Sequence, residues 1–166
     1  METESAGKEP ASPKSLAKDM IPPSPSNDSL RVILGPQEDR FLQKGMETFL
    51  SSEYRVSPQS DRMGYRLQGP TIEHSQGADI ISEPIARGAI QVPGDGLPII
   101  LLWDAQVSGG YTKIANVISA DLDRLAQIMP GEGLRFQAVP LGEAHKLLRK
   151  EWDYFERVQK NIEEQR

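Results

Sequence analysis

Two polar segments of the sequence carry the side chains best suited to chemistry. The first contains Ser60, Asp61 and Arg62, and the planar guanidinium of Arg62 suits the two oxygens of a carboxylate or carbamate. The second runs from Gly109 to Lys113 and begins with two glycines. Consecutive glycines can adopt the positive φ values that turn backbone N–H groups to one side, which makes an anion-binding nest. Lys113 would add a positive charge to that nest.

Both segments also have a structural interpretation, and spacing alone favours it. Residues 60–62 can form an Asx or Ser/Thr turn in which Asp61 and Arg62 hold each other. Two glycines before an aromatic residue most often form a tight turn under a packed ring. A third turn-like segment, residues 94–96, has the sequence Gly-Asp-Gly and is interpreted as a hairpin turn between two strands.

The elements that must position these side chains are mainly strands. Between residues 54 and 140, Gly or Pro recurs every several residues, and the runs between them are short, apolar and β-branched. That pattern is typical of a β-barrel or sandwich. We predict strands at residues 30–34, 54–57, 64–68, 88–92, 97–103, 113–118 and 134–139.

Three helices are predicted beside the strands. Apolar residues at helical spacing predict a helix between Pro36 and Ser51. A second helix follows residues 119–121, which supply an N-cap, and Pro130 stops it. After Gly142 neither Gly nor Pro occurs, and an apolar stripe predicts one long amphipathic helix. We favour packing of this helix on its own barrel over its use as a partner-binding seam. The stripe consists of Ala144, Leu148, Trp152, Phe155, Val158 and Ile162.

The predicted layout has three parts. Residues 1–29 are rich in Pro and Ser and poor in large apolar side chains, so we expect a disordered leader. Residues 30–140 form the β-barrel domain, and residues 141–166 form the C-terminal helix. A lost upstream segment is an alternative origin for the leader.

Composition excludes several classes of protein. The formal net charge is −5, which argues against nucleic acid as the main partner because phosphate binding needs clustered Lys and Arg. The absence of cysteine excludes disulfides, thiolate zinc sites and cysteine nucleophiles. The first twenty residues lack the apolar core of a signal peptide, and the longest apolar run is strand-sized. We therefore predict a soluble, cytoplasmic protein.

Several catalytic classes also lack their motifs. The sequence has no Gly-x-x-x-x-Gly-Lys-Ser/Thr loop, so any use of ATP cannot rely on a P-loop in this chain. It has no Gly-x-Ser-x-Gly motif and only two histidines, which argues against a serine hydrolase triad. His74 and His145 are both expected to be solvated, and no metal site is predicted.

Six motifs give the sequence a specific resemblance, and they lie in order at residues 34–37, 60–66, 81–83, 88–93, 109–114 and 117–122. It resembles the KipA-like biotin-dependent carboxyltransferase family, which includes the C subunit of 5-oxoprolinase, allophanate hydrolase subunit 2 and the carboxyltransferase domain of urea carboxylase. The resemblance runs from about residue 30 to residue 139 and matches only the C-terminal half of the family domain.

The resemblance implies a fold and a mode of action. The family fold is a cyclophilin-like β-barrel with flanking helices, in a tandem arrangement of which this chain would be one half. Its active surface forms between halves or between paired subunits. The resemblance thus implies a component of an ATP-dependent 5-oxoprolinase or of a biotin-dependent carboxyltransferase acting on a cyclic amide or urea-like substrate.

The same resemblance implies partners and cofactors. Proteins like the B subunit (KipI-like) and the A subunit of 5-oxoprolinase would complete the complex, and ATP would be used with the partner. Biotin would arrive on another chain, because the Met-Lys-Met-like attachment hairpin is absent. Two alternatives remain open: a non-catalytic module that binds a partner, of the kinase-inhibitor antagonist type, and an inactive truncated remnant.

Site residues follow from motif membership and from donor or acceptor type. Arg62, Lys113 and Asp61 are the predicted catalytic residues, with the two cations placed where negative charge develops. The glycine-rich turn and the arginine-bearing turn are expected to converge on one rim of the barrel. The predicted substrate-binding residues are Ser60, Gln91, Gln106, Gly109, Gly110 and Tyr111.

Overall fold

An eight-stranded sheet, nearly closed into a barrel, organises the fold. The computed structural model describes residue 15, residues 20–21 and residues 29–164. The strands are β1 Leu30–Leu34, β2 Tyr54–Val56, β3 Gly64–Gln68, β4 Asp79–Pro84, β5 Ala89–Gln91, β6 Ile99–Leu101, β7 Ser108–Tyr111, β8 Lys113–Val117, β9 Gly133–Leu134 and β10 Phe136–Ala138. The large sheet has the order β10-β1-β8-β5-β6-β3-β2-β9.

The chain itself joins the two ends of this sheet. The end strands β9 and β10 follow one another and are separated by Arg135 alone. β10 pairs with β1 in parallel, and the other neighbours in the large sheet pair antiparallel. Because one short crossing links both ends, few backbone groups are left unpaired at an edge. The predicted mainly β, barrel-like fold is confirmed.

Alternating strand residues fill the barrel and meet a helix on one side. Helix α1, Gln43–Ser51, places Phe49 in the core, where its ring stacks on Phe136 with centroids 4.5 Å apart. Tyr54 is fully buried beside Phe136. Burial raises the pKa of Tyr54 to about 12, because the phenolate form is disfavoured away from water.

Most predicted strands are confirmed, and the differences have local causes. β6 is shorter than predicted and begins just after Pro98, which has no N–H to donate to a ladder. The predicted strand at 134–139 is two strands, because Arg135 is the turning point between β9 and β10. The predicted helix between Pro36 and Ser51 begins as a 3₁₀ turn, Glu38–Arg40, and continues as α1.

A second, two-stranded sheet was not predicted. β4 and β7 pair antiparallel, with a register shift between Asp79 and Glu83. Sequence patterns miss both strands, because β4 ends in a proline and β7 contains two consecutive glycines. This sheet brings Glu83 opposite Gly109, so a carboxylate lies beside the glycine-rich segment.

The second predicted helix is shorter than expected, and its cap is different. After a 3₁₀ turn, Ser119–Asp121, helix α2 covers only Leu122–Leu125. The prediction of an N-cap supplied by residues 119–121 is wrong, since no side chain there caps the helix. The carboxylate of Asp121 instead accepts the backbone N–H of Arg31 at 2.7 Å and bonds its guanidinium group. A buried ion pair therefore takes the oxygens that a cap would use.

The long C-terminal helix is confirmed as α3, Leu141–Glu164. The described residues form two compact units, one of residues 29–149 and one of residues 15, 20–21 and 150–164. In the larger unit, Ala144 and Leu147 pack on Ile118 and Val139. In the smaller unit, the Tyr154 hydroxyl donates to the Met20 carbonyl oxygen at 3.0 Å.

The predicted leader and domain boundaries concern the ends of the chain. Most of the predicted disordered leader, residues 1–29, lies outside the described residues. The domain boundaries at residues 29 and 140 remain predictions. Over the described part of the chain, no helix combines the length and apolar character needed to cross a bilayer.

Candidate functional site

One end of the barrel contains a cavity of ≈ 420 Å³. Its wall is formed where β3 begins, where β6 ends and where the segment before β5 meets helix α2. The floor is mostly apolar, and two arginines stand at the wall, so the cavity suits a small molecule with an anionic group. The lining residues include Ser60, Asp61, Arg62, Tyr65, Arg87 and Trp103.

The turn at residues 60–62 is built by its own side chains. Asp61 Oδ1 accepts the backbone N–H groups of Met63 at 2.8 Å and Gly64 at 3.2 Å. Ser60 Oγ accepts the backbone N–H of Arg66 at 3.0 Å. The Asx-turn interpretation is therefore correct. Asp61 holds the loop that presents Arg62, and the catalytic role predicted for Asp61 stays a prediction.

Arg62 is not held by its neighbour Asp61. Its Nε lies 3.0 Å from Asp104 Oδ2, and its side chain is 85% exposed. The nearby Arg87 guanidinium lies 3.4 Å above the ring centroid of Trp103, a cation–π contact. The cavity thus carries two cations, one paired with a carboxylate and one resting on an indole ring.

A second polar group surrounds Lys113, which is almost fully buried. Its Nζ donates to Glu83 Oε1. Gln37 fixes both partners: its Nε2 donates to the same Glu83 oxygen at 2.6 Å, and its Oε1 accepts the backbone N–H of Lys113 at 3.1 Å. We call Gln37, Glu83, Gln91 and Lys113 the lysine network.

Gln91 belongs to this network through the strand register. In the β5–β8 pairing Gln91 lies opposite Lys113, just past a register shift, and neither residue belongs to the apolar core that the neighbouring pair Ile90 and Ala115 joins. Gln91 is only 2% exposed, and its Nε2 has no hydrogen-bond partner. A buried donor of this kind is costly and therefore needs an explanation.

Gly109 and Gly110 do not form the predicted anion nest. Both lie in strand β7, and neither is among the glycines with positive φ. The prediction is wrong because β7 pairs with β4, and that pairing requires extended backbone. A Cβ at Gly109 would lie 2.8 Å from Gln91 Nε2, so the glycine is there for close approach. Tyr111 and Gln106 do not extend a nest either: Tyr111 is 42% exposed at the end of β7, and Gln106 precedes that strand.

The Gly94–Gly96 turn is structural, as predicted. The Gly96 N–H donates to the Pro93 carbonyl at 2.9 Å, and Gly96 has a φ of 76°. Asp95 Oδ1 accepts the N–H of Leu97 at 3.0 Å. The positive φ explains the glycine at this position.

The arginine-bearing turn and the glycine-rich segment do not form one cradle. Gly88, just before β5, lines the cavity, whereas Gln91, at the other end of β5, faces Lys113. At about 3.3 Å per strand residue, these positions are about 10 Å apart. Among the described residues, no member of the lysine network lines the cavity. The prediction of a shared rim is therefore corrected to two separate polar groups.

His74 is only partly exposed and is held by hydrogen bonds, in contrast to the predicted solvated side chain. Its Nε2 lies 3.0 Å from Thr112 Oγ1 and 3.1 Å from the Val92 carbonyl oxygen. Its ring packs on Phe41 with centroids 4.7 Å apart. Burial lowers the pKa of His74, and the hydrogen bond with Val92 partly opposes this effect. His145 is exposed on helix α3.

The charge of Glu83 gives a testable pH dependence. Hydrogen bonds from Lys113 and Gln37 lower the pKa of Glu83 below its ordinary value of 4.5. Because the folded-state pKa is the lower one, this stabilisation is present above pH 4.5 and is lost as the pH falls through the folded-state pKa. Glu83→Gln is expected to flatten the dependence of stability on pH in that acidic window. Urea denaturation at a series of pH values measures it, and equal slopes in both proteins would contradict the expectation.

Four residues of these two groups were not singled out as site residues from the sequence. Gln37 and Glu83 lie in the motifs at residues 34–37 and 81–83. Membership of these motifs was therefore the sequence signal that could have identified them as site residues. Arg87 and Trp103 had no such signal, because only the tertiary structure brings the cation over the ring.

The chain is similar to known proteins over most of its length. The family model for the carboxyltransferase domain, subdomain A and B, matches residues 1–138. The C subunit of 5-oxoprolinase from Haemophilus influenzae is 43% identical over 144 residues, which cover 87% of this chain and 47% of that protein. The protein of the same name from Escherichia coli is 39% identical, with 78% and 42% covered. The chain thus spans less than half the length of these two relatives.

A more distant relative and a solved structure are also similar to this chain. Urea amidolyase of Saccharomyces cerevisiae is 30% identical and covers 85% of this chain, which spans 8% of that protein. The crystal structure of Kluyveromyces lactis urea carboxylase superposes with a TM-score of 0.75 at 26% identity, covering 90% of this chain and 14% of that one. This chain belongs to the carboxyltransferase-domain family defined by subdomains A and B.

Proposed function

We propose that this chain acts within an enzyme complex of the 5-oxoprolinase type, which opens a cyclic amide at the expense of ATP. The observation that carries this proposal is the 43% identity to a 5-oxoprolinase C subunit over 87% of the chain. Identity to urea amidolyase is lower, at 30%. We therefore favour a cyclic amide over urea as the substrate.

The two polar groups supply complementary chemistry for such a reaction. An exposed guanidinium such as Arg62 suits a carboxyl or phosphoryl group, because it presents donors in a planar fork. The buried lysine network supplies fixed donors for an amide whose oxygen gains negative charge during the reaction. In this proposal the cavity receives the anionic reactant, and the lysine network receives the amide.

The cofactors of the proposal are placed mainly on partner chains. ATP would be bound chiefly by a protein like the A or B subunits of 5-oxoprolinase, because this sequence has no P-loop. If carboxybiotin is the donor instead, biotin is carried on another chain, and Arg62 is the residue here that fits its carboxyl oxygens. A cytoplasmic location suits either reaction.

Reconstitution tests the function directly. The chain would be co-purified with proteins like the A and B subunits of 5-oxoprolinase, and 5-oxoproline turnover would be measured with and without ATP. ATP-dependent turnover supports the proposal. Carboxylation of urea by carboxybiotin without turnover of 5-oxoproline supports the urea carboxylase alternative. The absence of both reactions would contradict both activities.

Arg62→Ala is expected to lower kcat/KM of the reconstituted complex about 10- to 100-fold, a loss of about 1.4–2.8 kcal/mol of transition-state stabilisation. The variant is expected to fold normally, because Arg62 is highly exposed. Arg135→Ala is the matched control, since Arg135 is also exposed and pairs with Glu53 at 3.3 Å, away from the cavity lining. Unchanged kcat/KM in Arg62→Ala would remove Arg62 from the proposed site.

A partner-binding role without catalysis is the second candidate, and the small sheet favours it. Ile81 in β4 and Val107 just before β7 are 93% and 83% exposed. The two side chains lie toward opposite ends of the small sheet, because Asp79 pairs with Tyr111 and the Ile85 N–H donates to the Val107 carbonyl oxygen. Each would give a partner a separate apolar contact. Capture of a KipI-like protein by the isolated chain, without turnover by the pair, would favour this role over the enzymatic one.

A further inference from the structure

An unpartnered hydrogen-bond donor lies inside the fold. In the described part of the chain, two buried side-chain polar atoms lack a hydrogen-bond partner: Tyr54 Oη and Gln91 Nε2. Tyr54 lies among aromatic and apolar side chains of the core. Gln91 differs, because its strand neighbour across the ladder is the charged Lys113. The Gln91 amide N–H groups and the Lys113 ammonium group are all hydrogen-bond donors, so this part of the protein has more donors than acceptors.

Lys113 and Glu83 also have hydrogen-bond donors and acceptors that no described residue uses. The Lys113 ammonium carries three N–H donors, and Glu83 Oε1 is the acceptor that the described residues provide for it. Glu83 Oε1 takes both Lys113 and Gln37, while no described residue donates to its second oxygen, Oε2. The network therefore has spare donors on Gln91 and Lys113 and a spare acceptor on Glu83.

We propose that Gln91 and Lys113 bind the carbonyl oxygen of the substrate amide and that Glu83 Oε2 accepts the adjacent N–H. This inference rests on the proposed function and identifies the group that the substrate must carry. A cyclic amide, or a ureido group, presents C=O and N–H side by side on one edge. That edge is complementary to two donors beside one acceptor.

Gln37 acts as a positioning residue in this arrangement. It bonds the backbone N–H of Lys113 and the carboxylate of Glu83 at the same time, so it holds the ammonium and the carboxylate at a constant spacing. One N–H of its Nε2 and its Oε1 are committed to these two bonds. We therefore assign Gln37 the role of holding its two partners in place.

Strand β7 covers the donor and is the element that would have to move. Gly109 lies against Gln91 Nε2, and a Cβ there would be 2.8 Å away. Among the described strands, β7 pairs with β4 alone, so its displacement leaves the hydrogen bonds of the large sheet intact. Substrate entry by a shift of β7 is consistent with this pairing.

Gln91→Met gives the sharpest test, because methionine keeps the length of the side chain and removes the donor. Binding to the full chain would be measured by titration calorimetry with 5-oxoproline, with urea, and with free proline, which lacks the ring carbonyl. For the wild-type protein we expect 5-oxoproline to bind at least about tenfold more tightly than free proline, a gap of about 1.4 kcal/mol. In Gln91→Met this preference is expected to disappear.

Stability provides the second readout. Removing an unpartnered buried donor is expected to raise the melting temperature of the ligand-free protein by about 2–4 °C. Gln137→Met is the matched control, since Gln137 is an exposed strand glutamine in β10, and it should change neither binding nor melting temperature. Gln91→Glu, which also lacks the amide donor, should lose the preference in the same way.

Failure of the proposed amide site is distinguishable from failure of the proposed function. Retention of the 5-oxoproline preference in both Gln91 variants would overturn the site, and so would a lower melting temperature in Gln91→Met, which would show that the amide makes a structural bond. A different outcome would separate the two proposals. If the Gln91 variants lose the preference for 5-oxoproline and bind urea more weakly, the binding site is supported. If the reconstituted complex at the same time turns over neither compound, the enzymatic proposal is contradicted.

Discussion

Lys113→Met is expected to reduce 5-oxoproline turnover by the reconstituted complex about 100- to 1,000-fold. The magnitude is that of removing one fixed donor from a site where negative charge develops. Folding should persist, because methionine preserves the apolar stem of the buried lysine, and Glu83 is 40% exposed and can be solvated once it loses its partner. Steady-state kinetics with ATP and 5-oxoproline measure the effect.

The chain offers a closely matched control for this variant. Lys44 also pairs with a glutamate, with Nζ 2.8 Å from Glu73 Oε1, but the pair is exposed on the surface. Exposed pairs of this kind contribute little to stability, so Lys44→Met should leave turnover unchanged. Equal turnover in the Lys113 and Lys44 variants would show that the lysine network takes no part in the reaction.

Asp121→Ala is expected to lower the free energy of unfolding by about 3–5 kcal/mol. Asp121 is 1% exposed, and it accepts the backbone N–H of Arg31 at 2.7 Å and the Arg31 guanidinium Nε at 3.1 Å. Removing the carboxylate leaves the backbone N–H of Arg31 without its acceptor and leaves the guanidinium, which is 28% exposed, only partly hydrated. The link between strand β1 and the segment before α2 would be lost with it.

Urea denaturation of both proteins measures this change. Asp123→Ala is the control, because Asp123 lies two residues away and is exposed, and its expected effect is within about 0.5 kcal/mol. A loss below about 1 kcal/mol for Asp121→Ala would indicate that water replaces the carboxylate and that the pair is not a structural link.

Sequence patterns were informative wherever they depend on local chemistry. The Asx turn at Asp61 and the Gly94–Gly96 turn follow from side chains that bond their own backbone. The long helix at the end of the chain follows from its apolar period. Motif order also identified the family, because six short segments in one order occur together only rarely.

Sequence patterns were least informative where a distant segment bonds a side chain or a backbone stretch that local chemistry would otherwise use. Residues 119–121 were expected to cap the following helix, but Arg31, ninety residues away in sequence from Asp121, takes the Asp121 carboxylate. Gly109 was expected in a turn, but pairing of β7 with β4 makes it part of a strand. In each case a local preference worth about 1 kcal/mol was overridden by long-range pairing.

The amino-acid sequence by itself determined the family, the barrel class of fold and the identities of Arg62, Lys113 and Gln91 as candidates. Only the tertiary structure decided that Arg62 stands at one end of β5 and that Lys113 and Gln91 stand at the other. It alone brought Gln37 and Glu83 to Lys113 from 76 and 30 residues away. The physical reason is that strand register, set by burial of one face of each strand, fixes which distant side chains meet, and no local pattern contains that information.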